Sequence, residues 1–290
     1  MTRSTASQTK MWHPSLAKEV LARLAFPVFY LLNRPSMAWF ADFCYDFALR
    51  CSGIAVAFRG KHGLTVPEEK FLARSIGRLQ VGVLLDVGAN SGAYSRLLHR
   101  LAPGAKIIAF EPHPTTFAVL QRNLINFPEI TLINQAIGDS VGQLILYDFE
   151  FSDGSTQASL SESAVALFSS DIVKHPVDCT TIDKFMVSSN IDRIAFLKID
   201  TEGHDLSVLR GASSALRERR IDMIQFEFIG ANIATGATMQ KFFEALAGYQ
   251  LFRMCLNGQL RPLPIYNVKR CEIYVTQNLI ALPAGSSCVF

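Results

Sequence analysis

Four acids and a histidine stand where two short apolar runs end, in Leu197-Lys198-Ile199-Asp200-Thr201-Glu202-Gly203-His204-Asp205 and in Phe226-Glu227-Phe228. Carboxylates and an imidazole can take a proton from a hydroxyl as it attacks. His204 is the first candidate for that work, because an unperturbed imidazole titrates close to neutral pH. Asp200, Glu202 and Glu227 stand at adjacent run ends and could converge on one crevice. There they could act as bases or hold a divalent ion such as Mg²⁺, which favours a few carboxylates plus water. Direct acid and base work is preferred, since no dense carboxylate loop is present. A structural reading stands beside this one: Lys198 and Glu202 would form a salt bridge while Asp205 caps the following helix.

A second group of residues has the pattern of a nucleotide site. Leu84 to Ser95 reads as an apolar run, a glycine-bearing turn (Gly88-Ala89-Asn90-Ser91-Gly92) and a helix start. Glycine lets backbone approach a ligand, and a helix start offers free N–H groups. Roughly 20 residues on, Phe110-Glu111-Pro112 places a carboxylate where ribose hydroxyls would donate to it. A dinucleotide fingerprint needs glycine at its third and sixth positions, which here are Asn90 and Ala93. Asp86, just before the turn, suits a cationic amino group such as that of methionine. Asn134 to Asp139 encloses the small apolar step Ala136-Ile137, which could form an adenine slot or an ordinary turn.

To position these groups the chain needs a parallel sheet, and from residue 82 it alternates short apolar runs with helical stretches. Candidate strands are Val83 to Val87, Lys106 to Glu111, Ile130 to Gln135, Ile194 to Ile199 and Met223 to Phe228. A closing antiparallel pair is expected over Tyr249 to Cys255 and Cys271 to Thr276, joined by a loop with Asn257-Gly258, Pro262 and Pro264. Gly142 to Tyr147 and His175 to Thr180 are further strand-like pieces around a polar loop, Ser152 to Ser163, where substrate chemistry particular to the family is expected.

Before residue 80 two helices are expected, Ser15 to Leu32 and Ser36 to about Phe58, the second with Phe40, Phe43, Cys44, Phe47 and Cys51 on one face. The domain limits are therefore 1–80 for a helical extension, 81–282 for the catalytic domain and 283–290 for a tail. The apolar face would meet the catalytic domain, a second copy of the chain or a membrane surface. No run approaches the roughly 20 apolar residues of a spanning helix, and a cytoplasmic protein, either free or peripheral to the membrane, is expected. The 290 residues carry a net charge of only +3, which argues against a nucleic-acid partner. Six scattered cysteines suggest neither zinc nor a disulfide framework.

Taken in order, DVGANSGAYS, FEPHPTTFAVLQRN, KIDTEGHDLSVLRGA and QFEF resemble the FkbM family of O-methyltransferases over roughly residues 82–276. The resemblance implies an α/β class I methyltransferase fold: a Rossmann-like seven-stranded sheet with one antiparallel strand, here with an N-terminal helical extension. It implies S-adenosyl-L-methionine as cofactor and a hydroxyl acceptor on a sugar, a glycan or a glycosylated natural product. By position, Asp86, Gly88, Asn90, Gly92 and Tyr94 would line the methionine end, Glu111 the ribose, and Ala136 with Ile137 the adenine. Competing readings are an NAD-dependent oxidoreductase, disfavoured by the missing glycines, and a non-catalytic cofactor-binding scaffold, disfavoured by Asp200 and Glu202.

Overall fold

The structure, a computed structural model, describes residues 20, 23–75, 82–149 and 172–286. By its internal packing the chain divides into two units, Met1–Cys51 and Ser52–Phe290. The break falls after Cys51 rather than near residue 80.

In the first unit, α1 (Phe26–Leu32) starts on Pro27, whose fixed φ suits a helix start. A 3-10 turn at Pro35–Met37 then leads into α2 (Ala38–Cys51). Neither helix continues into the other because Arg34, ahead of Pro35, is held in extended backbone. Phe26, Phe29, Tyr30, Trp39, Phe43 and Phe47 are exposed. Among the described residues no helix is long and apolar enough to cross a membrane. The expected helix from Ser15 lies partly outside the described residues, and the second ends at Cys51, short of Phe58.

In the second unit, α3 (Val66–Ser75) precedes β1 (Val83–Val87), α4 (Ala93–Leu101), β2 (Lys106–Phe110), α5 (Pro114–Asn123) and β3 (Ile130–Ile133). The small strands β4 (Ala136–Ile137), β5 (Gly142–Phe149) and β6 (Ile172–Thr180) follow, then α6 (Ile182–Ser188), β7 (Phe196–Ile199), α7 (Asp205–Arg210) and α8 (Ser213–Arg217). The chain goes on through β8 (Ile224–Phe228), α9 (Ala231–Thr235), α10 (Met239–Ala245), β9 (Tyr249–Met254), β10 (Leu260–Leu263), α11 (Val268–Cys271) and β11 (Gln277–Pro283).

Among the described residues the main sheet has eight strands in the order β10-β9-β11-β8-β7-β1-β2-β3. Strands β8, β7, β1, β2 and β3 run parallel, and β11 is antiparallel to both of its neighbours, β8 and β9. This is the expected class I sheet with one strand added at its edge, since seven strands were expected. Asn257-Gly258 makes a hairpin, with Gly258 at φ +76°, and β10 returns antiparallel along β9. Pro262 lies inside β10, where an edge strand tolerates it because no second neighbour needs its missing N–H. The closing strand is also displaced from Cys271–Thr276. That stretch is helix and loop, and the pairing falls to Gln277–Pro283, whose run Leu279-Ile280-Ala281-Leu282 is buried.

Side chains alternate across the central strands, as a period of two requires. Leu85, Val87, Ile108, Phe110, Leu197 and Ile199 fill the core on one face. Leu84, Ile107, Ala109 and Phe196 fill the other, together with Phe71 and Leu72 from α3. That packing explains why α3 belongs to the second unit. A separate three-stranded sheet, β4-β6-β5, carries the two strand-like pieces read from the sequence. The polar loop Ser152–Ser163 lies outside the described residues.

Candidate active site

A cavity of about 310 Å³ opens at the carboxyl ends of β1, β2 and β7. This is where an open α/β sheet binds ligands, at the point where the strand order reverses. Its size falls at the lower end of small-ligand pockets.

One polar row of the sheet underlies the cavity. Asp86 and Lys198 face each other in register across β1 and β7, and Gln225 follows across β8. All three point to the face of Leu84 and Phe196, and all are buried. Buried charges must be paired, and these are. Lys198 Nζ lies 3.2 Å from Asp86 Oδ1 and 3.3 Å from Asp200 Oδ2, and it donates to the Gly88 carbonyl at 3.1 Å. It also stands 5.1 Å from the centre of the Tyr94 ring. Burial alone would lower the Lys198 pKa; the surrounding carboxylates of Asp86, Asp200 and Glu68 reverse this and raise it. Ser95 Oγ donates to the other Asp86 oxygen at 2.6 Å.

These contacts correct the reading of Asp86. Its carboxylate is 0 % exposed and does not line the cavity; it anchors Lys198 instead of awaiting an ammonium group. Lys198 pairs with Asp86 and Asp200, the groups that register and alternation bring to it, so the expected Lys198–Glu202 pairing does not describe its contacts.

The turn after β1 behaves as its glycines require. Gly88 sits at φ +78°, and a Cβ there would lie 1.8 Å from the Asp200 carbonyl, so β1 and β7 could not converge with any other residue. Asn90, at φ +49°, directs its N–H to Glu111 Oε2 at 2.8 Å, while the His113 N–H donates to Glu111 Oε1 at 2.9 Å. The Glu111 carboxylate is thereby fixed at the cavity wall. Burial raises its pKa to about 7 against these two donors. Gly88, Asn90, Tyr94, Glu111, Ala136 and Ile137 all line the cavity. Gly92 does not. It starts α4 at φ +85°, and a Cβ there would meet Leu120 at 2.7 Å and Leu124 at 2.9 Å, a packing role.

Of the four proposed catalytic groups, Asp200 and Glu202 line the cavity, and His204 and Glu227 do not. The Asp200 side chain is 40 % exposed. Glu202 sits at φ +50° before Gly203 at φ +97°, and burial, with Asp200 and Asp205 nearby, raises its pKa to about 8. His204 occupies the start of α7 with a buried Nε2, and burial lowers its pKa to about 4 although Asp139 opposes the shift. Being outside the lining, it is poorly placed as first base. Glu227 is raised well above the carboxylate range by burial, then by Asp200 and Glu202.

Asp205 is structural, but not as the expected cap, since α7 has no side-chain cap. Its Oδ1 accepts from Thr201 N and Oγ1, and its Oδ2 accepts from Glu227 N at 2.8 Å, fastening the 201–205 turn to β8. Among the described residues no three His, Cys, Asp or Glu side chains form a group that could hold a metal ion, so the Asp200, Glu202 and Glu227 metal reading is not carried forward.

Several lining residues were not singled out in the sequence. His113, Thr116 and Leu146 line the cavity, as do Gly63, Leu64 and Glu68 from the segment before β1. A signal for the last group exists. Thr65-Val66-Pro67-Glu68 has the spacing of a capping box with proline in the first turn, and Glu68 Oε2 accepts from Thr65 N at 2.9 Å.

The methyltransferase FkbM domain matches residues 86–251. Methyltransferase 1 of Beauveria bassiana is 29% identical over 44% of this chain and 57% of its own length. The 2-O-methyltransferase NoeI of Sinorhizobium fredii is 26% identical over 48% of this chain and 60% of its own. The hexuronic acid methyltransferase AglP of Haloferax volcanii is 30% identical over 47% and 52%. The alignments thus span little more than half the length of these curated relatives. With more than half of its residues inside the matched domain, the chain belongs to the FkbM methyltransferase family.

Proposed function

We propose that the protein is an S-adenosylmethionine-dependent O-methyltransferase acting on a hydroxyl of a sugar, glycan or glycosylated natural product. The observation that carries this is the position of Glu111. In the sheet order β7-β1-β2-β3, Glu111 at the end of β2 stands between the apolar slot of Ala136 and Ile137, which follow β3, and a charged end with Lys198, Asp200 and Glu202 at the end of β7. Adenine, ribose and a cationic amino-acid end follow one another in the donor in that same order, so the lining fits it. A nicotinamide cofactor fits less well, because Asn90 stands where a glycine would let a pyrophosphate approach. The names of NoeI and AglP favour a carbohydrate acceptor.

Bound there, S-adenosylmethionine supplies a methyl group activated by a positively charged sulfur. In this reading the chain provides alignment, which dominates an in-line displacement, and a place for the acceptor's proton. Glu111 receives the ribose hydroxyls, and Ala136 with Ile137 flank the adenine. Glu202 takes the proton, since a base titrating near working pH combines availability with strength. Asp200, held by Lys198, orients the acceptor hydroxyl.

Calorimetric titration with S-adenosylmethionine, S-adenosylhomocysteine and NAD, followed by transfer of labelled methyl to uronic acids and oligosaccharides, tests this. Binding of the first two and label on an acceptor hydroxyl are expected. Binding of NAD alone would overturn the cofactor reading, and binding without transfer to any hydroxylated acceptor would favour the scaffold.

A further inference from the structure

Glu68 reaches the cavity from α3, outside the matched family region of residues 86–251, and is 8 % exposed. Its carboxylate is held by three donors. Thr65 N and Thr65 Oγ1 donate to Oε2 at 2.9 and 2.7 Å, and Gln225 Nε2 donates to Oε1 at 2.9 Å. Tyr94 Oη donates to Gln225 Oε1 at 2.6 Å, which leaves the amide nitrogen to face Glu68 and Asn278. Both carboxylate oxygens are therefore acceptors.

The other acids near Lys198 differ in one respect. Asp86 and Asp200 touch the ammonium directly, whereas the hydrogen-bond donors of Glu68 are neutral groups. With one lysine already shared by two acids, the negative charge of Glu68 is only remotely compensated, and burial raises its pKa accordingly. A charge held in a wall by neutral donors, at the end of a cavity where a cation is due, is complementary to that cation.

We infer that Glu68 is a cofactor-binding residue whose charge favours the sulfonium methyl donor over its demethylated thioether product. The inference rests on the cofactor assigned above. S-adenosylmethionine and S-adenosylhomocysteine share adenine, ribose, ammonium and carboxylate and differ by the positive sulfur with its methyl. A group that senses that charge must therefore affect one ligand more than the other. A carboxylate that only docks α3, or that only contacts the ammonium, must affect both equally.

The test is calorimetric titration of the parent and of Glu68→Gln with both ligands. The expected result is that the variant loses affinity for S-adenosylmethionine on the order of fivefold more than for S-adenosylhomocysteine, the size of one charge acting through a partly wet cavity. Glu68→Asp, which keeps the charge, should hold the parent's ratio. Equal losses, or none, in Glu68→Gln would overturn the inference. Should Glu68→Gln not fold, Glu68→Leu with Gln225→Leu removes both partners of the buried bond, an exchange that cores tolerate better, and the same inequality is required of it. A parent protein that binds neither ligand would overturn the cofactor reading instead, so the two failures are distinct.

Discussion

The two ends of the cavity are built on opposite plans. At the charged end, side chains hold side chains: Lys198 links Asp86, Asp200 and the Gly88 carbonyl, and Gln225 links Tyr94 to Glu68. At the end proposed for adenosine, main chain holds the site: Asn90 and His113 N–H groups fix Glu111, and buried apolar side chains form the slot. The first plan makes the fold depend on groups that also face the ligand, because a buried ion loses its partner at high cost. The second separates the two, because the backbone donors at an open cavity can turn to water when the acid is removed. Substitution of the fully buried pair at the charged end, Asp86 and Lys198, should therefore affect stability and function together, and substitution at the end proposed for adenosine should affect binding first.

The harshest test is Lys198→Met. It leaves Asp86, 0 % exposed, with Ser95 as its remaining close partner, and stability should fall by about 3–5 kcal/mol. Denaturant unfolding measures this. A variant that unfolds with the parent would show that the Asp86–Lys198 pair does not anchor the sheet, and the contrast between the two ends would fail. Asp200→Ala removes only the more exposed partner of Lys198, so the fold should survive while kcat falls by roughly 10²–10⁴. Full turnover with a carbohydrate acceptor would remove Asp200 from the chemistry.

At the other end, Glu111→Ala should weaken S-adenosylmethionine and S-adenosylhomocysteine alike, by about 1.5–3 kcal/mol for the lost charged acceptor, with less loss of stability than Lys198→Met. Titration calorimetry and melting of the same sample compare the two effects. A variant that unfolds as readily as Lys198→Met, or that binds as well as the parent, would erase the difference between the plans.

The same contrast explains what could be read from sequence. That Gly88, Glu111, Ala136 and Ile137 would meet at one cavity was legible because this end is local: a strand, its turn and a strand end fix each group within a few residues. The charged end depends on pairing between distant strands. That Asp86 would meet Lys198 follows only from the β1–β7 register, and Glu68 is joined to the site across 157 positions. His204 misled because type and proximity to a strand end do not tell which way a side chain at a helix start turns. The antiparallel edge was misread for a related reason. Pro262 argues against a strand unless the strand is known to lie at the sheet's edge, and Gln277–Pro283 competed with an equally apolar stretch just before it.

The mildest prediction concerns Glu202, which stands between the two plans, at the charged end but on a backbone turn. Its carboxyl titrates near 4.5 when unfolded and at about 8 in the fold, raised by burial and then by Asp200 and Asp205. The folded state thus holds this proton more tightly, and its contribution to stability is full below pH 4.5 and is lost as pH rises toward 8. In Glu202→Gln no such proton exists. Melting curves of the ligand-free proteins should run together near pH 4.5 and separate toward pH 8.5, with the variant melting a few degrees higher. The catalytic effect has the opposite sign. Parent turnover should increase with pH up to about 8 as Glu202 ionises, and the variant should lose both rate and that slope. A parent profile flat from pH 6 to 9, or a variant that keeps the parent's slope, would move the proton acceptor from Glu202 to Asp200.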